Sequence, residues 1–175
     1  GSGASESTVV GYQAGYHLRA GDKNTIMGYQ AGYNLRDTFE HVAIGYKSLY
    51  TLESLNEDSA GYDFGQSRST AVGAFALRTQ DPSSSGLMYN SALGYAALYS
   101  NTTGTQNTVM GGFSGYLMTT GSGNTSLGYE ALYNNTTASN NTAIGNASLR
   151  ANTTGTQNTA VGSACLDANT TGNYN

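Results

Sequence analysis

The chain has 175 residues, a net charge of −4 and only 10% charged side chains. That length suits one domain, and the lack of a basic stripe argues against nucleic acid as a partner. One cysteine, Cys165, excludes an internal disulfide, and no apolar run reaches the length of a membrane-spanning helix.

Gly1-Ser2-Gly3 reads as a cloning scar, so residues 1–6 count as scar and leader and residues 7–175 as a single repeat domain. From Ser7 onward a glycine closes the same five-residue run again and again. The runs start at Ser7, Asn24, His41, Glu57, Ser69, Asn90, Asn107, Asn124, Asn141 and Asn158. They end at Gly11, Gly28, Gly45, Gly61, Gly73, Gly94, Gly111, Gly128, Gly145 and Gly162. The steps are 17 residues except across the middle, where they are 16, 12 and 21. Asn175 falls at the next start, which reads as a piece cut in register from a longer repetitive protein. A fixed short period is the mark of a stacked repeat architecture.

Each copy is numbered here from its start. Position 2 is mostly Thr, position 4 is apolar, position 5 is Gly, position 8 is small and position 9 is Leu or Gly. Late copies close with Asn-Thr-Thr-Gly, as at Asn152 to Gly155. The apolar stretches are too short for amphipathic helices, and Asn, Thr and Gly supply turns. These columns predict an all-β chain: a parallel β-solenoid, or β-roll, of about ten coils. Each coil would hold two short strands, with position 4 inside and the closing Asn-Thr-Thr-Gly at surface turns. At a strand spacing of about 4.8 Å such a stack is roughly 45–50 Å long. Gly11, Gly28, Gly45, Gly94, Gly128, Gly145 and Gly162 are expected to be structural, at a bend or a close approach that a Cβ would block. The core of one such chain is lean, which favours a homotrimer.

The irregular coils lie at 57–89 and contain the one proline, Pro82. Insertions in solenoids map to loops on one face. Either this is a tolerated bulge, or it carries a ligand-binding loop with Asp58, Asp63, Phe64, Asp81, Ser83 and Ser84. Tyrosine is the other informative residue. Position 6 holds Tyr12, Tyr29, Tyr46, Tyr62, Tyr95 and Tyr129, and position 10 holds Tyr16, Tyr33, Tyr50, Tyr99, Tyr116 and Tyr133. Residues of one column stack coil over coil, so aromatic ladders that hold register are expected. A platform for sugars on Tyr16, Tyr33, Tyr50, Tyr99 and Tyr133 is the functional alternative.

No metal or cofactor is expected. His17 and His41 sit at different positions of their repeats, with no Cys or acidic partners at ligand spacing. Cys165 takes the place of a small core residue, and no nucleophile motif or phosphate-binding loop is present. The broken Thr column leaves an ice-binding face as a second functional class.

The run Asn-Thr-Ala-Ile-Gly at Asn141 to Gly145, its Val counterpart at Asn158 to Gly162, the Ala-Leu that follows in some copies and the Asn-Thr-Thr-Gly closure resemble repeats in tail-fibre-like proteins of phages, large viruses and bacteria. The core motif also resembles the head repeats of YadA-like trimeric autotransporter adhesins. The resemblance runs from Ser7 to Asn175 and is clearest from Asn90 onward. It implies a left-handed parallel β-roll that trimerises and works outside the cell, on a cell surface or a virion tail fibre. The function expected on that basis is a non-enzymatic fibre or adhesin segment. It would present or space a surface for a cell-surface receptor or glycan, without nucleic acid and without membrane insertion. An ice-binding solenoid and a glycan-degrading tail spike are the alternatives.

Overall fold

A computed structural model describes residues 6–19, 21–35, 39–50, 68–80 and 88–175. The described chain is all-β: nine three-residue strands form one parallel sheet, stacked in sequence order as a β-solenoid. The strands are β1 (Thr8–Val10), β2 (Thr25–Met27), β3 (Val42–Ile44), β4 (Thr70–Val72), β5 (Ser91–Leu93), β6 (Thr108–Met110), β7 (Thr125–Leu127), β8 (Thr142–Ile144) and β9 (Thr159–Val161). Pairing keeps repeat register throughout, so Thr25 sits on Val42 and Thr142 on Thr159.

Two expectations about the coil change. The fourth of the ten copies, Glu57 to Gly61, falls outside the described residues, and β4 pairs directly on β3, with Ala43 opposite Ala71. Each described coil also has one strand rather than two. Positions 6 to 11 run as turns whose backbone still bonds between coils, as in Gln30 N–H to Tyr12 C=O at 2.9 Å and Gly15 N–H to Ala31 C=O at 2.9 Å. Turn backbone that stacks in register satisfies its amides without extended geometry.

Position 4 is outside, not inside. The inward residue of each strand is position 3: Ile26, Ala43, Ala71, Ala92, Val109, Ser126, Ala143 and Ala160 are buried. Successive strand residues point to opposite faces, so the larger aliphatics at position 4 point outward. Val10, Met27, Leu93, Met110, Leu127 and Val161 are 42–64% exposed.

The core is filled in two alternative ways. Most coils pair Ala or Ser at position 3 with Leu at position 9, as in Ala92 with Leu98 and Ala143 with Leu149. Three coils reverse this, with Val9, Ile26 or Val109 at position 3 and Gly15, Gly32 or Gly115 at position 9. Position 12 then becomes Leu18, Leu35 or Met118 and fills the space beside the glycine. Position 9 has φ near +50° whether it is Gly or Leu, for example +59° at Gly115 and +52° at Leu132. The glycine there serves packing rather than backbone freedom.

Position 5 is different. Gly111 has φ +128°, and a Cβ there would lie 2.5 Å from the carbonyl oxygen of Gly128 in the next coil. Gly28 and Gly45 show the same relation, at 2.6 Å between a built Cβ and the Gly45 oxygen and 2.7 Å to the Gly73 oxygen. Position 5 combines a positive φ with a close backbone approach.

Candidate functional site

Buried amides run the length of the stack at position 1. The Asn107 side-chain oxygen accepts the backbone N–H of Asn124 at 2.9 Å, while its Nδ2 donates to Gly121 C=O at 2.8 Å. Asn141 does the same with Asn158 N–H (3.0 Å) and Gly155 C=O (2.9 Å). Each amide thus joins the next coil and closes its own last turn. At this position Ser7 and Ser69 accept the next coil's N–H through Oγ, and the same hydroxyls donate to Gly21 C=O and Gln80 Oε1. Where position 12 is Asn, a second ladder forms: Asn152 Nδ2 reaches Asn135 Oδ1 at 3.1 Å and Gly155 C=O at 2.9 Å. The closing Asn-Thr-Thr-Gly is therefore only partly a surface turn. Its Asn is buried in Asn101 and Asn152, its first Thr bonds the next coil through Oγ1 in Thr102 and Thr153, and its second Thr is exposed in Thr154 and Thr171. Asn101 lies beside a Met118 coil rather than another Asn coil, and its side chain is buried without a hydrogen-bond partner among the described residues.

His41 holds a position-1 site in the same ladder. It is fully buried, and its Nδ1 lies 3.2 Å from Ser69 N and 3.3 Å from Ser69 O. A ring with its lone pair on Nδ1 accepts the Ser69 N–H as the neighbouring side chains accept theirs, and a ring with its proton there donates to Ser69 C=O. Burial pushes its pKa down to about 4, against a smaller upward pull from the Ser69 backbone. No group of three or more His, Cys, Asp or Glu capable of holding a metal occurs among the described residues. Cys165 packs, half-buried, against the core in the small column.

The expected tyrosine ladders are present. Tyr16, Tyr33 and Tyr50 stack with ring centroids 5.1 and 5.2 Å apart, and Tyr99, Tyr116 and Tyr133 at 5.0 and 5.3 Å. Between the two trios Arg78 takes the column position, 5.6 Å from the Tyr50 ring and 5.4 Å from that of Tyr99. Arg150 ends the second trio 6.0 Å over Tyr133 and is held by Glu130 at 2.7 Å. The column is thus a continuous π and cation–π stack. Its ring faces are turned toward one another, so Tyr33, Tyr50, Tyr99 and Tyr133 present edges and hydroxyls outward, while Tyr16 at the end is exposed. Burial first, then Tyr99 and Tyr133, holds the Tyr116 phenol above its ordinary value.

At position 6, Tyr12, Tyr29 and Tyr46 stack with centroids 5.4 and 5.3 Å apart; further along, where position 6 is Ala74 or Gly112, Phe75 and Phe113 from position 7 make edge contacts with Tyr46, Tyr95 and Tyr129. Tyr12, Tyr29, Tyr46, Tyr95 and Tyr129 are all exposed. They flank the outward face of the sheet, where position 2 supplies a column of Thr25, Thr108, Thr125 and Thr142 and position 4 the exposed aliphatics. This face combines hydroxyl, aliphatic and aromatic columns. Apart from it, a cleft of ≈330 Å³ is lined by Asp22, Lys23, Phe39, Glu40 and Arg68, with Arg68 bound to Glu40 at 2.6 Å.

Asp58, Asp63, Phe64, Asp81, Ser83 and Ser84 lie outside the described residues. No helix among the described residues is long and apolar enough to cross a membrane. Compared with protein-family models, with curated proteins and with solved structures, the chain matches none.

Proposed function

We propose that this chain is a non-enzymatic segment of an extracellular fibre or adhesin, carried on a cell surface or a virion tail fibre. As a homotrimer it presents or spaces a surface that attaches to a cell-surface receptor or glycan. One observation carries the reading: the repeated columns are spent on stacking one coil on the next, in buried Asn and Leu ladders, glycine contacts and stacked tyrosines that repeat without converging. A ladder of identical coils transmits length and stiffness, and its equivalent surfaces suit repeated weak contacts rather than one reaction centre. The resemblance to tail-fibre-like and YadA-like repeats points the same way.

A glycan array probed with the purified chain, combined with a reducing-sugar release assay on the sugars that bind, tests this reading. Binding without release supports an attachment segment. Release of sugar would replace it with a glycan-degrading spike. The ice-binding alternative draws on one specific feature, the outward Thr column beside exposed aliphatics on one face. Thermal hysteresis at micromolar protein would establish it in place of attachment.

A further inference from the structure

The solenoid is built inside out in one respect. In several strands the smaller residue is buried and the larger one is exposed: Ala92 inside and Leu93 outside, Ser126 inside and Leu127 outside, Ala160 inside and Val161 outside. A monomeric fold gains by the opposite choice, because each fully buried Leu or Val is worth about 1.5–3 kcal/mol more than an exposed one. The outward aliphatics also form one unbroken row. Parallel in-register pairing puts Met27 beside Ile44, Leu93 beside Met110, and Met110 beside Leu127. The row recurs in every described strand from β1 to β9, although its neighbour at position 3 varies from Ile to Ser.

We infer that this row is the contact face between copies of the chain, with the aliphatic columns of neighbouring copies packed against each other along an axis parallel to the stack. The inference rests on the trimeric reading above and names its surface. Area supports a copy of the chain as the occupant. Six exposed position-4 aliphatics, three less exposed ones and the five exposed position-6 tyrosines amount to on the order of 1,000 Å² of surface per chain. The largest patch on an ordinary monomer is about 300–600 Å², and a stable interface needs roughly 800 Å² per partner. Composition supports it too. No charged side chain occurs at positions 2, 3 or 4 of any described strand, so the face is charge-free at its centre. Cyclic symmetry about the stack axis brings each coil level to the same level of its partners, so Met110 meets Met110 and Leu127 meets Leu127. A solenoid that repeats every coil makes the whole row self-complementary.

The test places charge on the row without touching the core. In the combined variant Leu93→Glu, Met110→Glu, Leu127→Glu all three changed side chains point outward. Light scattering at micromolar concentration should give three times 18.2 kDa for the unchanged chain and one third of that mass for the variant, with the same far-ultraviolet circular dichroism. A control with Thr120→Glu and Thr137→Glu, exposed on the turn side, should keep the full mass. An unchanged chain that is monomeric overturns both the trimeric reading and this inference, whether its face proves to bind ice or nothing. A trimeric chain whose charged variant stays trimeric overturns the face alone. Should the charged variant fail to fold, Leu127→Cys in a Cys165→Ser background decides: mild oxidation should cross-link two copies, whereas Thr137→Cys in the same background should not. Absence of the Leu127→Cys cross-link in a trimeric chain overturns the assignment.

Discussion

The side-chain oxygen of Asn141 accepts the backbone N–H of Asn158 at 3.0 Å, one coil further on, while the same amide closes its own turn on Gly155. That single relationship, repeated at Asn90, Asn107, Asn124 and Asn158, couples each turn to the next coil. Replacing Asn141 by Ala leaves the buried N–H of Asn158 unpaired, while Gly155 C=O keeps the Asn152 amide as its donor. A loss of about 1–3 kcal/mol is expected, from one orphaned backbone group. Chemical denaturation measures it, and hydrogen exchange should show the Asn158 amide losing protection.

The neighbours Gly111 and Gly112 should respond oppositely to one methyl group. A Cβ on Gly111 meets the Gly128 carbonyl at 2.5 Å with φ at +128°, whereas a Cβ on Gly112 meets only the Tyr129 ring at 3.5 Å, an ordinary contact. Gly111→Ala is expected to cost more than about 3 kcal/mol, and Gly112→Ala to stay within roughly 0.5 kcal/mol of the unchanged chain. Thermal unfolding of the two variants side by side checks this.

The two core arrangements should be interchangeable only as sets. Gly115→Leu alone crowds Met118 and the Val109 methyl, each 3.5–3.6 Å from a Cβ built on Gly115. Overpacking of that kind costs about 1–3 kcal/mol. The triple change Val109→Ala, Gly115→Leu, Met118→Asn copies the residues of the coil containing Ser126, Leu132 and Asn135 nearly in full. It should recover stability to within about 1 kcal/mol, because coupled neighbours are not additive. It also gives Asn101 a neighbouring amide. Failure of the triple variant to recover relative to Gly115→Leu would refute the set.

His41 should make the stack acid-sensitive. Its folded pKa is about 4 and its ordinary value 6.5, so the unfolded chain binds the extra proton first as pH falls. Stability is fully present above pH 6.5 and is lost as pH falls through 4. The total loss is about 3 kcal/mol at 1.36 kcal/mol per pH unit. In the tautomer that accepts the Ser69 N–H, protonation also removes the Nδ1 lone pair. His41→Asn restores the residue used elsewhere in the column and should flatten stability across that window. Denaturation midpoints at pH 7, 5.5 and 4 for both chains read it out.

Much of this was legible in the chain. The 17-residue period, the position-5 glycines and the tyrosine columns at positions 6 and 10 follow from repetition alone, because in-register stacking puts like residues beside like. The Asn ladder was visible as a column of starts, yet its role was hidden. An Asn at a turn reads as turn chemistry until the next coil supplies the N–H it accepts. The paired choice at positions 3, 9 and 12 was also written in the residues. It became readable only once Gly115, Val109 and Met118 were seen to share one space.

The side of the strand that faces inward could not be read in this way. Alternation says that Ala92 and Leu93 point to opposite faces, and hydrophobicity favours burying the larger one. Only the closed coil shows that Leu98, from the turn, already occupies the interior beside Ala92 and leaves no room for a second large side chain from the strand. The short copy at Glu57 likewise looked like a coil, but β4 stacks on β3. Repetition in sequence determined what each coil contains. Three-dimensional closure decided which copies stack and which columns lie inside, since volume within a coil is shared among residues far apart in the repeat.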